Sequence, residues 1–236
     1  MANDSVEQLD RFYSSALGCA PEALNSGRLV VVECEQITGI RFAKGSPLAL
    51  FSIGKGTGAV VSVMPDLYEA TTNALASADT LDGNACRTLE SVLTPIIKPQ
   101  FWFEGCRLYC DSESFIDLAK GDVRDVTNMD ETAAGIHARW GGRVFGLIAD
   151  GKVVSWAGVK PLSDVGWDLT IQTLPEYRGM GYAKSAVSSA VRYILDNGKI
   201  ATWGTDRTNI ASLRTAHSVG FQDYGLDFGC VYSISS

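Results

Sequence analysis

The chain has 236 residues, of which 46% are hydrophobic and 20% charged, and its net charge at pH 7 is −7. This composition is ordinary for a globular protein, and the length suits two small domains or one large one. The negative charge argues against a nucleic-acid partner and mildly favours a cationic acceptor, although it serves solubility equally well. No run is apolar enough to span a membrane and no secretion signal is visible, so we expect a cytoplasmic protein without a membrane partner.

The cysteines and histidines predict neither a metal site nor a disulfide framework. Six cysteines occur without a C-x-x-C pair, and the two histidines, His137 and His217, do not provide zinc-ligand spacing. We therefore expect reduced thiols and no bound metal.

The N-terminal half predicts an α/β arrangement with little functional signal. Its glycine-rich stretch 54–58 lacks the G-x-x-x-x-G-K-[ST] order of a phosphate-binding loop, so a hairpin turn is the better interpretation. The aromatic cluster 101–103 suits either a hydrophobic core or an acceptor pocket. Periodicity predicts helices over 6–17, 66–78 and 85–97, the last broken at Thr94-Pro95, and strands over 29–32, 48–53, 59–63, 101–103 and 107–110.

A domain boundary is predicted near 111–122, where charged and small residues become frequent. The proposed division is an N-terminal domain over 1–118 and a C-terminal domain over 119–236. The second domain begins with a strand near 123–126 and a helix over 128–138. It continues with strands over 144–149 and 153–159 around Asp150-Gly151, a strong hairpin signal, and it ends with a strand pair over 221–236.

The most informative stretch is 168–183, which joins a strand to a helix through Arg178-Gly-Met-Gly181. Residues 168–173 alternate in polarity and are rich in β-branched side chains, so they predict a half-buried strand. The two glycines let the backbone turn its N–H groups inward at the start of a helix over 183–196, where the helix dipole is positive. This combination predicts an anion site. The polar face of that helix is expected to carry Lys184, Ser185, Ser188, Ser189, Arg192 and Asp196.

A dinucleotide-binding motif does not fit the turn. That motif needs G-x-G-x-x-G directly after the strand and an acid about 20 residues later. Lys184 stands where the third glycine should be, four residues precede the first glycine, and Lys199 and Ile200 lie near the position of the acid.

The turn instead resembles the acyl-coenzyme A loop of the GNAT acetyltransferase superfamily, [Q/R]-x-x-G-x-[G/A], through Arg178, Gly181 and Ala183. A later segment is similar to the second signature of that family, in which an Asn is followed by a small residue three positions on and Gly-Phe eleven positions on. Here these are Asn209, Ser212 and Gly220-Phe221, on a capped helix after a strand over 200–203. The resemblance covers about residues 123–236.

The resemblance implies a mixed α/β (α+β) sheet with a GNAT-like acyl-CoA-binding domain in the C-terminal half. The resemblance is compatible with two interpretations of the N-terminal half, an accessory α/β domain or a diverged GNAT-like copy. It also implies acetyl-CoA as co-substrate, with backbone groups of the turn holding the pyrophosphate and those of the preceding strand pairing with the pantetheine arm. The implied cofactor-binding residues are Ile171, Thr173, Arg178, Gly179, Met180, Gly181, Tyr182, Ala183, Asn209 and Ser212.

Asp168 is the candidate general base, because it lies close to where some family members carry a glutamate that works through water. Its alternative is a solvated strand-end carboxylate, and Glu176 is the second choice of base. Many members carry a tyrosine acid seven residues after the motif asparagine, but here that residue is Ala216. Proton donors left open are Ser212, His217 and Tyr182.

The function implied is transfer of an acetyl group from acetyl-CoA to a primary amine of a small molecule or a protein. The alternative is a non-catalytic acyl-CoA-binding regulatory module that has lost the acid at Ala216. The sequence also leaves a homodimer open.

Overall fold

The computed structural model describes residues 2–35, 37 and 48–232 of the chain. Within this part, seven α-helices and ten β-strands confirm the expected mixed α/β fold, and no helix is long and apolar enough to cross a lipid bilayer. The helices are α1 Ala2–Leu17, α2 Pro21–Leu24, α3 Tyr68–Ala74, α4 Gly83–Ile97, α5 Glu131–Trp140, α6 Tyr182–Asp196 and α7 Ile210–Ser218. The strands are β1 Leu29–Glu33, β2 Leu48–Lys55, β3 Gly58–Val63, β4 Pro99–Cys110, β5 Asp122–Asp125, β6 Val144–Ala149, β7 Lys152–Lys160, β8 Gly166–Thr173, β9 Ile200–Asp206 and β10 Gln222–Tyr232.

The chain forms two compact units, and the first is discontinuous in sequence. It comprises Asn3–Cys106 and the segment from Tyr224 onward, whereas the second comprises Arg107–Asp223. Both boundaries fall inside strands, one in β4 and one in β10. The division at residue 118 stays a prediction about domain organisation.

The first unit has the strand order β1-β3-β2-β10-β4. The predicted β2–β3 hairpin is confirmed by six register pairs, from Leu50↔Val63 to Lys55↔Gly58. Helices α3 and α4 cover a buried cluster that includes Leu89, Leu93 and Phe228, and the Trp102 ring stacks on Phe228 at 5.2 Å between centroids. Burial of such aliphatic and aromatic side chains is the main favourable term in folding.

Asp10 of α1 is a buried carboxylate of the first unit with three hydrogen-bond donors. Lys55 Nζ lies 2.6 Å from its Oδ1 and the Tyr224 hydroxyl donates to the same oxygen at 2.7 Å. Asn25 Nδ2 donates to Oδ2 at 2.8 Å. Burial by itself would raise the pKa of Asp10, but these hydrogen bonds outweigh burial and hold that pKa below its ordinary value.

The second unit has the strand order β9-β8-β7-β6-β5. Strands β5 to β8 are antiparallel, and β8 pairs with β9 in parallel through the crossover helix α6. The predicted hairpin at Asp150-Gly151 and the predicted helix after the turn are both confirmed. Ala186, Val187, Ala190, Val191 and Ile194 of α6 are fully buried, which is the stripe that its sequence periodicity indicated.

Three predicted breaks in the secondary structure are wrong. Helix α4 continues past Pro95 to Ile97, and Lys98 then ends the helix in the left-handed conformation. Strand β4 is continuous through Glu104-Gly105, since that glycine remains extended in the sheet. Of the strand pair expected over 221–236, the described residues, which end at Tyr232, form a single strand, β10, whose Gly229 lies against the Phe103 ring instead of making a turn.

Two helices of the structure begin later than expected. Residues 65–67 form a short 3-10 helix before α3, and α3 ends at Ala74 rather than residue 78. Helix α5 begins at Glu131 because the Asp130 carboxylate accepts the Ala133 N–H at 2.8 Å and so caps the helix there.

Candidate functional site

Strands β8 and β9 separate part-way along their length and leave a fork in the second unit. Their pairing covers three residue pairs and ends at Asp168↔Thr202, although β8 runs on to Thr173 and β9 to Asp206. On its other edge β8 stays paired with β7 as far as Ser155↔Thr173. The β9 side of β8 beyond Asp168 is therefore an open strand edge.

The hydrogen bonds that flank the fork identify the backbone groups on this open edge. The Leu174 N–H donates to the Val154 carbonyl at 3.0 Å, which places the even-numbered residues of β8 in hydrogen-bonded pairs with β7. The Ile200 N–H donates to the Val165 carbonyl at 3.0 Å, so odd-numbered residues face β9. The backbone groups of Ile171 and Thr173, the two strand residues expected to contact the pantetheine arm, consequently face the fork.

Asp168 and Arg178 occupy the two ends of the open edge. The Asp168 Oδ1 accepts the Leu169 N–H at 2.7 Å, which satisfies a donor that β9 no longer reaches. The Arg178 Nε donates to the Thr173 carbonyl at 3.2 Å and so attaches the turn to the end of β8. Between these two contacts the backbone of Ile171 faces the fork.

The turn after β8 presents the N-terminus of α6. Gly179 and Gly181 have φ of 78° and 79°, a left-handed conformation that other residues adopt only at a cost. The Gly181 carbonyl accepts the N–H groups of Lys184 and Ser185, whereas no side chain caps the helix. The N–H groups of its first residues, Tyr182 and Ala183, are therefore available to an anion at the positive end of the helix dipole.

The space in front of this turn is open. A side chain built at Gly181 would meet no heavy atom within 4 Å, and the Met180 side chain is 58% exposed. The Tyr182 ring lies 6.1 Å from that of Tyr177, whose hydroxyl donates to Asp150 at 2.9 Å. A diphosphate can thus approach the backbone donors from solvent.

Asp168 is buried, so its alternative interpretation as a solvated carboxylate is wrong. Its Oδ2 lies 3.7 Å from Arg107 Nη1 and 3.8 Å from Lys160 Nζ. Lys160 is its register partner on β7 and also lies over the Trp140 ring, at 4.7 Å. The candidate base is therefore part of a buried ionic cluster at the point where the fork opens.

Sequence reasoning missed both cations of this cluster. Arg107 is 61 positions before Asp168, and nothing in the local pattern joins the two. The contact with Lys160 could have been predicted from the sequence. A lysine that ends one strand and an aspartate near the start of the next can be antiparallel neighbours across a short loop.

The second motif forms the helix cap that its spacing indicated. The Asn209 Oδ1 accepts the Ser212 N–H at 3.1 Å, and the Ser212 Oγ accepts the Trp203 indole N–H at 3.0 Å. The Asn209 side-chain amide group is at an exposed position. Ala216, in the position of the family's tyrosine, is fully buried.

The Gly-Phe pair ends α7 for a steric reason. Gly220 has φ of 97°, and a β-carbon there would lie 1.9 Å from the Ser114 carbonyl oxygen. Phe221 packs edge-on against Trp203 at 5.2 Å. His217 is 47% exposed and its Nε2 lies 3.7 Å from an Asp223 oxygen, so this candidate donor is at the surface.

The polar face predicted for α6 needs one correction. Ser185 and Ser188 are buried, because both hydroxyls bond the backbone of the segment 117–120.

Glu176, the second candidate base, is exposed, and its carboxylate lies 3.7 Å from Lys152 Nζ. All six cysteines are free thiols, and no group of three or more metal-binding side chains occurs within residues 2–35, 37 and 48–232.

Residues 107–221 match the model of the acetyltransferase (GNAT) family. This range, just under half of the chain, is similar to GNAT acetyltransferase domains. The matched range coincides closely with the second compact unit, Arg107–Asp223, and includes both the fork and the turn. This similarity supports acyl transfer in general as the chemistry of the matched range. No curated protein matches the sequence.

Solved structures with the same fold include one that matches over the whole chain. A GNAT-family acetyltransferase described as putative, from Novosphingobium aromaticivorans, is 18% identical with a TM-score of 0.51, over 58% of this chain and 67% of its own. The X-ray structure of a Drosophila protein is 14% identical with a TM-score of 0.51, over 100% of this chain and 98% of its own. At these identities the similarity concerns the fold.

Proposed function

We propose that the protein is an N-acetyltransferase that moves an acetyl group from acetyl-CoA to a primary amine of a small molecule or a protein. The observation that carries this proposal is the fork between β8 and β9, with an uncapped helix N-terminus directly after it. An extended arm can add to the open edge of β8 while an attached diphosphate reaches the N–H groups near Gly181.

The residues present fit acyl-CoA in their donor chemistry. Backbone groups of Ile171 and Thr173 face the fork, the Tyr182 and Ala183 N–H groups face the anion position, and Asn209 is exposed at the start of α7. Bound acyl-CoA would supply an activated thioester. The chain's own contribution is to hold the arm straight and to orient the acceptor, and orientation can lower a barrier by about 7–11 kcal/mol.

The acceptor has to arrive as the neutral amine. An amine with a pKa near 10.4 is neutral in only about one molecule in a few thousand at pH 7. Asp168 is the proposed base because it lies where the fork opens, although Arg107 and Lys160 both contact it. The same two cations repel an ammonium ion, so the neutral form of the acceptor is favoured at this position. Glu176 is less suited, since it is exposed and paired with Lys152.

The departing thiol does not require the family's tyrosine. A thiol of pKa about 8.5 leaves as its thiolate only ~2 kcal/mol above the protonated form at pH 7. The buried Ala216 provides no donor, and Ser212 already accepts a hydrogen bond from Trp203. We therefore propose that the thiolate leaves without a dedicated acid.

The test is a screen of the full chain with acetyl-CoA and a broad panel of amines and amino-terminal peptides. Free CoA and acetylated product are separated and quantified by chromatography, because the protein's own thiols would react with a thiol reagent. We expect product with at least one amine class at a rate well above the uncatalysed reaction. Binding of acetyl-CoA by calorimetry without product from any acceptor contradicts the proposal.

The second candidate is a non-catalytic acyl-CoA-binding module. Two observations favour it, the buried Ala216 in place of an acid and the engagement of Asp168 by two cations. It predicts acyl-CoA binding without turnover in the same screen.

A cytoplasmic location is also our proposal, supported by the six free thiols, and cell fractionation tests it.

A further inference from the structure

Asp168 and Lys160 face helix α5 on one side of the sheet in the second unit. Gly158 and Thr170 are register partners on β7 and β8. A β-carbon at Gly158 would collide with the Ile136 side chain of α5 and would lie 3.0 Å from the Thr170 side chain, so both positions face that helix. Side chains two positions apart on a strand share a face, which puts Lys160 and Asp168 on the α5 side as well.

Helix α6 lies against the opposite face. The Trp167 ring lies 6.0 Å from the Tyr193 ring of α6, and Trp167 directly precedes Asp168 on β8. Neighbouring residues of a strand point to opposite faces, so Asp168 and α6 are on different sides of the sheet. An acceptor amine that reaches Asp168 therefore approaches beside α5, where it meets side chains that take no part in holding the diphosphate.

Lys160 has a largely buried ammonium group, and no residue in the described part of the chain accepts a hydrogen bond from it. Its side chain is 15% exposed, and its Nζ lies 3.8 Å from Asp168 Oδ2, which is beyond hydrogen-bond distance. Its other contact is the Trp140 ring, 4.7 Å away. An ammonium group has three N–H donors, which are costly to bury without acceptors. A small anionic group beside Lys160 would supply them.

Arg139 adds a second cation beside the same tryptophan. Its guanidinium carbon lies 5.0 Å from the centroid of the Trp140 ring, and its side chain is exposed in the last turn of α5. Among the residues that the structure describes, no carboxylate pairs with Arg139. Because Lys160 and Arg139 border one ring, the approach to Asp168 beside α5 has a positive potential that attracts anionic groups.

An α-amino acid matches this arrangement, because a single carbon separates its amine from its carboxylate. The Asp168 Oδ2 and the Lys160 Nζ are 3.8 Å apart, so such a molecule can place its amine on Asp168 and its carboxylate on Lys160 at the same time. A simple alkylamine contacts Asp168 and leaves Lys160 without an acceptor. The amino terminus of a peptide does the same, because an amide replaces its α-carboxylate.

We propose that the acceptor is a free α-amino acid, whose carboxylate Lys160 binds and Arg139 attracts. This inference rests on the proposed N-acetyltransferase function and names its acceptor class. The neutral amine attacks the thioester carbonyl, so that a C–N bond forms and the C–S bond breaks. The amine proton passes to Asp168, and water protonates the departing thiolate. The products are an N-acetyl amino acid and CoA.

The test compares glycine, L-alanine, L-leucine and L-phenylalanine with their amides in the same chromatographic assay with acetyl-CoA. We expect kcat/KM for each accepted amino acid to exceed that of its amide by about tenfold or more, because the amide cannot pair with Lys160. Without recognition of the carboxylate the order is reversed at pH 7. The carboxylate of an amino acid raises the pKa of its own amine, so the amide has the larger neutral fraction.

Variants of the two cations locate the recognition. Lys160→Gln should raise the KM of the preferred amino acid by about tenfold, with a smaller change in kcat, and leave the amide nearly unchanged. Lys160→Arg keeps a cation and should restore part of the loss. Arg139→Gln should raise the same KM by about two- to fourfold, and high salt should remove this effect because the side chain is exposed. Lys152→Gln is the matched control, since Lys152 begins the same strand roughly 27 Å away and should change neither KM.

Two results overturn the inference and leave the proposed function intact. One is a wild-type protein that acetylates the amides at least as well as the amino acids, or that acetylates peptides alone. The other is an equal loss for amino acid and amide in Lys160→Gln. Absence of product from every amine removes both proposals. If circular dichroism shows that Lys160→Gln is unfolded, the comparison of acid and amide in wild type and the exposed Arg139→Gln variant still decide the question.

Discussion

Asp168 is the residue on which the mechanism depends most. Asp168→Asn keeps the size of the side chain but cannot accept a proton, so the rate should fall by roughly 10²–10⁴ at neutral pH with acetyl-CoA affinity nearly unchanged. Rising pH should restore much of the rate, because ionisation of the amine itself then replaces the base. The measurement is a pH–rate profile of both proteins with the acceptor from the amine screen.

The buried cluster around Asp168 requires a control for stability. Removal of the carboxylate charge leaves Arg107 and Lys160 beside a neutral amide, which should cost about 1–3 kcal/mol of unfolding free energy. Lys160→Gln changes the same cluster without removing the carboxylate, so it should lower stability and reduce the rate much less than Asp168→Asn does. Superimposable pH–rate profiles of wild type and Asp168→Asn would exclude Asp168 as the base.

Asp10 makes the stability of the first unit depend on pH. Because its pKa is lowered in the folded state, the native protein binds fewer protons than the unfolded chain, and its hydrogen bonds stabilise the fold above the unfolded pKa of about 3.9. The contribution is lost as pH falls through the lower, folded pKa. Wild type should therefore exceed Asp10→Asn by about 1.5–3 kcal/mol at pH 7, and the difference should shrink below about pH 4.

Urea unfolding of both proteins between pH 3 and 7 measures this difference. Tyr224→Phe is a useful companion, because it removes one neutral donor to Asp10 and keeps the ionic contact with Lys55. Its loss of stability should be smaller than that of Asp10→Asn at pH 7. A difference between wild type and Asp10→Asn that stays constant over the whole pH range would contradict the assignment.

The N-terminus of α6 is the element that should decide cofactor binding. Gly181→Asp places a carboxylate in the open space where the diphosphate is proposed to lie, so Coulomb repulsion and steric overlap should both oppose acetyl-CoA. The left-handed φ adds strain on the order of 1–2 kcal/mol, which a folded domain can tolerate. Calorimetry should show no acetyl-CoA binding by the variant, with its circular dichroism spectrum unchanged.

Gly198→Asp is the matched control for this change. Gly198 follows the other end of α6 and has a φ of 68°, and a β-carbon built there would meet no heavy atom within 4 Å. The aspartate therefore adds the same charge there and causes a similar backbone strain. Its acetyl-CoA affinity should equal that of wild type. If the two variants bind equally well, the anion position has been assigned to the wrong end of the helix.

Elements with a strong local pattern were predictable from sequence, and the errors have local physical causes. The apolar residues of α6 recur at helical spacing, and Asp-Gly between two apolar runs is a specific hairpin signal. Both elements are confirmed. Pro95 and Gly105 suggested breaks, but α4 continues two residues past Pro95, and β4 continues through Gly105, which is held in the extended strand. Ser185 and Ser188 suggested a solvated face, because nothing local shows that another segment bonds to them.

At the scale of the whole molecule, the backbone of the candidate site was more predictable than its side-chain environment. The turn and the Asn209 cap follow from short-range spacing and lie where the motifs placed them. Arg107, one ionic partner of Asp168, comes from β4 and lies 61 positions earlier in the sequence. Contacts between residues so far apart in sequence depend on the sheet order, which a single sequence does not specify.

The six thiols should differ sharply in reactivity. Burial raises the pKa of Cys110 to about 11 and that of Cys230 to about 12, so almost no thiolate is present at pH 8. Cys34 and Cys86 are also buried, whereas Cys19 and Cys106 are partly exposed. We expect at most two thiols to react rapidly with Ellman's reagent in the native protein and six in guanidinium. Rapid labelling of native Cys110 or Cys230, identified by mass spectrometry, would contradict this expectation.

The discontinuity of the first unit has a consequence for synthesis on the ribosome. Strand β2 is almost wholly buried and pairs on one edge with β10, whose residues are made about 180 positions later. At about 5–20 residues per second, that edge waits roughly 10–40 s for its partner. During this interval the nascent chain exposes an apolar strand with unsatisfied backbone groups, the type of surface that chaperones bind and that promotes aggregation. The yield of folded protein should therefore depend on the speed of translation and on chaperone supply.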